Sequence, residues 1–173
     1  PYHVDALLPE DTPDYIQTAY QSLSYHAITT VYLRYAQAVK LPAPLTGFSD
    51  GTAQWVLHRG ALGLPDNEVA VIISVSDCAE AWKDKDLAEK IHADIKRVCP
   101  DLDNPEAVRI ITEKRATTAA TVDFVQPDFS WLHHRRIYPA GDYLHPRYPA
   151  TLEATVQSGF AAAEKLMLDL KAE

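Results

Sequence analysis

The chain has 173 residues, 47% of them hydrophobic, and carries a formal net charge of −8 with a pI near 5.3. That length and apolar content suit a globular protein with a core of its own, and the acidic balance leaves no basic stripe for phosphates, which argues against nucleic acid as a partner. Cys78 and Cys99 form neither a disulfide framework nor a metal spacing and no apolar run reaches the length of a membrane span, so reduced, semi-buried thiols in a cytoplasmic protein are expected.

In chain order, Asp5–Leu8 reads as a helical turn stopped by Pro9, and Asp11-Thr-Pro13 opens a short helix through Ile16 and Tyr20. Ser24–Tyr35 is rich in β-branched and aromatic residues and reads as a strand. Gly47-Phe-Ser-Asp-Gly51 is a turn with an Asp-Gly pair, and Ala53–Arg59 is a second strand. Glu68–Ser76 is a nearly continuous apolar run, the pattern of a strand buried on both faces. Ser76 or Asp77 is placed to cap a helix over Trp82–Val98, with Leu87, Ile91, Ile95 and Val98 on one face and a solvated charge run on the other. Ala107–Ala119 is a fourth strand. Thr121–His134 is irregular, with Phe124, Phe129 and Trp131 as core anchors.

The chemistry-bearing stretch runs from Arg136 to Ala163. Ile137 and Tyr138 are strand formers, Gly141 allows close approach to the backbone, and Asp142 sets a carboxylate at the end of the strand. A proline-bounded loop leads to Pro149 and Thr151, which announce a helix start. In that helix Leu152, Val156, Phe160, Ala163, Met167 and Leu170 recur at steps of three and four. A strand end beside a helix amino terminus is suited to an anion and to hydroxyl-rich groups, because the first N–H groups are free and the helix dipole is positive there. Tyr143, His145 and Tyr148 flank this motif, placed either to reach a ligand or to shape the loop.

Ala140-Gly-Asp-Tyr-x-x-x-x-Tyr-Pro-x-Thr-Leu-Glu-Ala-x-x-x-Ser-Gly159 resembles the carboxy-terminal flavin motif of the flavin-containing amine oxidase and phytoene desaturase superfamily. Together with the Tyr25 strand, Gly51-Thr-Ala-Gln-Trp55 and Glu113-Lys-Arg-Ala-Thr117, it is most similar to the squalene-associated FAD-dependent desaturase subgroup, the hydroxysqualene dehydroxylases. Where that family has an Arg-Pro pair, this chain has Gln126-Pro127.

The resemblance implies an α+β fold. It would have a mixed or antiparallel sheet with flanking helices, as a substrate-binding portion over residues 1–134, and the last strand and helix of a Rossmann-like FAD domain over residues 135–173. It implies FAD as the cofactor, contacted by Gly141, Asp142, Pro149, Ala150, Thr151, Leu152 and Glu153, and an apolar isoprenoid substrate met by Phe48 and Trp55. The glycine-rich Gly-x-Gly-x-x-Gly fingerprint does not occur, and Pro1–Pro9 reads as a segment entered mid-protein. The expectation is therefore a carboxy-terminal piece that is inactive alone. It would bind FAD weakly or not at all, with a missing amino-terminal FAD-binding half as its partner. A surface left exposed by that loss would favour self-association, and the whole enzyme is expected to associate peripherally with membranes.

Other readings stay open at this point. The whole protein could oxidise an amine or a porphyrinogen instead, or the chain could be a non-catalytic partner domain. The residue types name no catalytic acid or base. Adjacent His133 and His134 would point to opposite sides of a strand and not to one metal. No Gly-x-Ser-x-Gly elbow supports a serine hydrolase, and Ser158-Gly159 fits close helix packing better.

Overall fold

Alternation along residues 25–34 decides the architecture: Ala27, Thr29, Val31 and Leu33 are buried, while the residues between them are only half-buried. A strand with that period shows one face to a core and one outward. In the computed structural model, which describes residues 1–76, 84–122 and 126–171, this strand, β1 (Tyr25–Arg34), belongs to an antiparallel five-stranded sheet. The others are β2 (Leu45–Gly47), β3 (Trp55–His58), β4 (Glu68–Ser74) and β5 (Ala107–Thr118), in the order β2-β3-β4-β1-β5. The helices are α1 (Asp14–Gln21), α2 (Asp84–Lys96), α3 (Ser130–His134) and α4 (Leu152–Lys171). The α+β class and the antiparallel sheet expected from the sequence are therefore present.

The chain forms two compact units, residues 26–116 and residues 1–25 with 117–173. This division differs from the expected boundary at residue 134. The reason is packing: Ile16 and Tyr20 of α1 share a buried cluster with Phe129, Leu132 and Tyr143, so the first 25 residues go with the carboxy-terminal stretch.

In the sheet unit the register stacks Val31 against Val71, Leu33 against Val69, and Val56 against Val71. These side chains meet Leu87, Ile91 and Ile95 of α2, spaced four residues apart on one helix face and all essentially buried. Glu89, Lys90 and Lys96 lie on the exposed side of α2, as their charge requires. The expectation that β4 is buried on both faces is not met. Val69, Val71 and Ile73 are buried against the core, whereas on the second face Ala70 is buried but Glu68, Ile72 and Ser74 are only half-buried, so that face is covered in part. Trp55, 47% exposed, lies on that open face beside Ile72.

Side chains complete what the backbone ladder leaves open. The Gln54 amide donates to Ser74 O at 3.1 Å and accepts from Ser74 N–H at 2.9 Å. Asp94 of α2 accepts from Thr52 N–H at 2.6 Å and Ala53 N–H at 2.9 Å, which fixes the loop before β3. Cys99 is half-buried and its thiol donates to Lys40 O at 3.0 Å, while burial raises its pKa. Cys78, Asp77, Trp82 and Phe124 lie outside the described residues.

His92 of α2 is buried with its Nδ1 3.2 Å from the Tyr35 hydroxyl. Burial first, and the Lys96 charge one turn on, hold its pKa below the ordinary histidine value, although the Asn104 amide opposes this weakly. The unfolded chain therefore takes up the proton first as pH falls. Thermal stability should be full above about pH 6.5 and decline as pH drops below it. The His92→Gln variant should lose that slope in melting curves recorded between about pH 5 and 7.5.

Candidate cofactor site

The segment before the Gly-Asp turn departs from the expected strand. Ile137 N–H bonds Leu132 O at 3.0 Å and Arg136 N–H bonds His133 O at 2.9 Å, with Arg136 in the left-handed region at φ 61°. That is the closing pattern of a helix, so α3 ends here and Ile137 tucks against the cluster around Leu132. The N–H that a ladder would need is already bonded, and residues 137–140 join no sheet among the described residues.

The turn itself is tightly held. Gly141 N–H donates to the Ser158 hydroxyl of α4 at 2.8 Å. A Cβ at Gly141 would come within 2.5 Å of the Tyr143 ring, so glycine is required by the close approach of that ring. Tyr143 is buried, and its hydroxyl lies 3.0 Å from that of Tyr20. Burial raises both tyrosine pKa values and keeps the pair neutral. Of the two roles open to Tyr143, the structure assigns shaping the turn, because its hydroxyl is bonded inside the core.

The same holds for the loop after it. His145 Nδ1 faces the N–H groups of Arg147 and Tyr148 at 3.2 and 3.3 Å, and Nε2 lies 2.9 Å from Gln157 Oε1, an arrangement that puts the ring proton on Nε2. Tyr148 stacks on His145 at 3.9 Å and donates to the same Gln157 oxygen at 3.1 Å. Ala150 adopts φ 62° and returns its N–H to Asp142 O at 3.3 Å. A non-glycine residue in that region is held by its surroundings, here by the closure of the 142–150 loop.

Thr151 caps α4 as expected, its hydroxyl accepting from Ala154 N–H at 3.1 Å and donating to Tyr148 O at 2.9 Å. The N–H groups of Thr151, Leu152 and Glu153 remain without partners among the described residues, at the positive end of a 20-residue helix. The carboxylate of half-buried Asp142 makes no hydrogen bond among the described residues. A recess of about 300 Å³, lined by Leu23, Ala119, Leu144 and Pro149 together with the polar Thr118, Gln126 and His145, lies in the same unit. Of the residues expected to meet a cofactor, Gly141 is tied to α4 through Ser158, Ala150 to Asp142 through the backbone, Pro149 lines the recess, and Thr151, Leu152 and Glu153 form the start of α4.

Two sequence expectations fare differently. Among the described residues nothing lies within 4 Å of a Cβ at Gly159, whereas Ser158 bonds the turn at Gly141. The apolar stripe of α4 points away from the unit: Leu152 is 88% exposed and Phe160 67%, whereas Ala154 is the buried residue. Among the described residues no three metal-ligating side chains gather, and none of the helices is long and apolar enough to cross a membrane.

The profile of the flavin containing amine oxidoreductase family matches residues 1–167. The chain belongs to that family. Among curated relatives it is 27% identical over 171 residues to hydroxysqualene dehydroxylase of Zymomonas mobilis subsp. mobilis, covering 93% of this chain and 36% of that protein. It is 32% identical over 147 residues to hydroxysqualene dehydroxylase of Rhodopseudomonas palustris, covering 83% of this chain and 33% of that protein. The chain thus spans about a third of the length of these relatives. Its fold superposes on a double mutant of putrescine oxidase redesigned in cofactor binding, with a TM-score of 0.61 at 12% identity, over 96% of this chain and 41% of that one. At that identity the likeness speaks for the flavin amine oxidase fold alone.

Proposed function

We propose that this chain is a carboxy-terminal part of an FAD-dependent oxidoreductase that acts on an isoprenoid of the hydroxysqualene type. The observation that carries the reading is the Gly141–Glu153 constellation, an unbonded carboxylate and three open N–H groups held in place by hydrogen bonds within one unit. These groups fit FAD. Asp142 would accept from ribityl hydroxyls, and the amino terminus of α4 would stabilise negative charge on the flavin N1/C2 carbonyl edge through its dipole. When bound, FAD supplies hydride exchange with an isoprenoid carbon. The protein's own part is to orient, to stabilise charge and to exclude water.

The chain spans about a third of its relatives' length, and on this reading the pyrophosphate turn would lie in the remainder and the exposed Leu152–Phe160 face of α4 would be where that remainder packs. A polypeptide of this chain alone should therefore retain little FAD and self-associate through the same face. Trp55, on the open sheet face beside Ile72, is a wall for an apolar substrate. Phe48 instead packs against the sheet-and-α2 cluster, which makes its contribution to a substrate site indirect.

The test is turnover by the whole enzyme, with FAD held reduced by dithionite for hydroxysqualene, because replacing the hydroxyl by hydrogen consumes a hydride and a proton and releases water, and with oxidised FAD under air for putrescine. Release of the dehydroxylated hydrocarbon from hydroxysqualene supports the reading, and oxidation of putrescine in its place would overturn it. Trp55→Ala should raise KM for hydroxysqualene several-fold while changing the melting temperature little, since half of the side chain is already exposed.

A further inference from the structure

The strongest feature outside the flavin-facing turn is a recess of about 510 Å³ in the sheet unit, into which Arg34, Arg59 and Arg109 project from β1, the turn after β3, and β5. One carboxylate, Glu68, lines it, so three guanidinium groups against one carboxylate leave a local charge of +2 in a chain of net −8. Glu68 is engaged with Arg59 at 2.5 Å, and the Arg59 guanidinium also lies over the Tyr32 ring, 5.4 Å from its centroid. Arg59 is thereby held in one orientation. The guanidinium groups of Arg34 and Arg109 make no ion pair or hydrogen bond among the described residues. Ile111, 45% exposed, shares the face of β5 with Arg109.

Solubility alone does not call for this arrangement. Scattered surface arginines in an acidic protein find carboxylates, as Arg97 does with Asp50 at 2.8 Å. Here two unbonded forks and a third fixed one converge on a single hollow with an apolar flank. We propose that this recess is a phosphate site, taking a phosphate or diphosphate group carried on an apolar body. Guanidinium forks bind phosphate oxygens in pairs, Ile111 and the Tyr32 ring meet the apolar part, and the excess charge supplies a screenable attraction. The inference goes beyond the flavin reading and shares no residue with it.

The bearer of the phosphate is either a soluble ester or an anionic lipid headgroup, and two probes separate them. Calorimetry of the full chain with inorganic pyrophosphate reads the first. Flotation with phosphatidylcholine vesicles, with and without phosphatidic acid, reads the second. Binding of pyrophosphate without vesicle recruitment identifies a soluble ester, recruitment only by phosphatidic acid identifies the headgroup, and either supports the site.

In the assay that responds, Arg34→Gln and Arg109→Gln should each weaken binding about fivefold, and Arg97→Gln should leave it unchanged. Glu68→Gln, which removes the one opposing charge, should tighten binding several-fold, a gain that misfolding cannot mimic. If neither probe binds, if the Arg34→Gln/Arg109→Gln double variant binds as well as the parent, or if Arg97→Gln weakens binding equally, the proposal is overturned.

Discussion

Gly51→Ala should destabilise the sheet unit by about 3 kcal/mol, lowering its melting temperature by roughly 12–24 °C. Two effects add. Gly51 sits at φ 99°, where an alanine is strained. Its Cβ would also fall 2.4 Å from Asp94 Oδ1, and Asp94 would have to give up the N–H groups of Thr52 and Ala53. Gly63→Ala separates the two, because Gly63 also has positive φ, 77°, but nothing lies within 4 Å of its Cβ. Its cost should be only about 1 kcal/mol. Equal losses at the two positions would mean that the Asp94 contacts contribute nothing.

Gly141→Val should be as damaging to the other unit, for a different reason. Its backbone is extended at φ 164°, so conformation alone tolerates a side chain. The obstacle is the Tyr143 ring, 2.5 Å from the added Cβ. Moving the ring breaks its hydroxyl contact with Tyr20 and opens the cluster that joins α1 to α3. Overpacking of this kind costs on the order of 2–3 kcal/mol. Tyr143→Phe removes only the hydroxyl and should cost about 1 kcal/mol. In a Tyr143→Leu background Gly141→Val should become much milder, a coupling that a double-mutant cycle in denaturant measures directly. An additive pair would show that the ring is not what excludes a side chain at Gly141.

Local pattern made much of the sheet unit legible in advance. The alternation of Ala27, Thr29, Val31 and Leu33 marks β1, and the four-residue spacing of Leu87, Ile91 and Ile95 marks the buried face of α2. Composition failed where burial depends on what lies opposite. The apolar run of β4 suggested two covered faces, yet Ile72 faces an open surface. The stripe on α4 was visible in the sequence, but its direction was not, because nothing local tells whether a stripe meets this unit or the outside.

At the candidate site the helix cap at Thr151 followed from residue type and position, and the structure shows its hydrogen bonds. The strand at Ile137 did not form, because strand propensity cannot foresee that a left-handed Arg136 closes α3 and takes the N–H first. The clamp of Gln157 on His145 and Tyr148 was equally hidden, since it joins residues nine and twelve positions apart through side-chain geometry alone.

On the proposed reading, the turn from Gly141 to Glu153 faces a flavin. Titrating the isotope-labelled chain with FAD and following its backbone amides tests this most directly, because weak binding still shifts resonances. Fast-exchange shifts should concentrate at Gly141, Asp142, Leu152 and Glu153 and be weakened by Asp142→Ala. Shifts confined to residues 26–116, or none at millimolar FAD (about the concentration at which a 4 kcal/mol interaction is half-saturated), would contradict it.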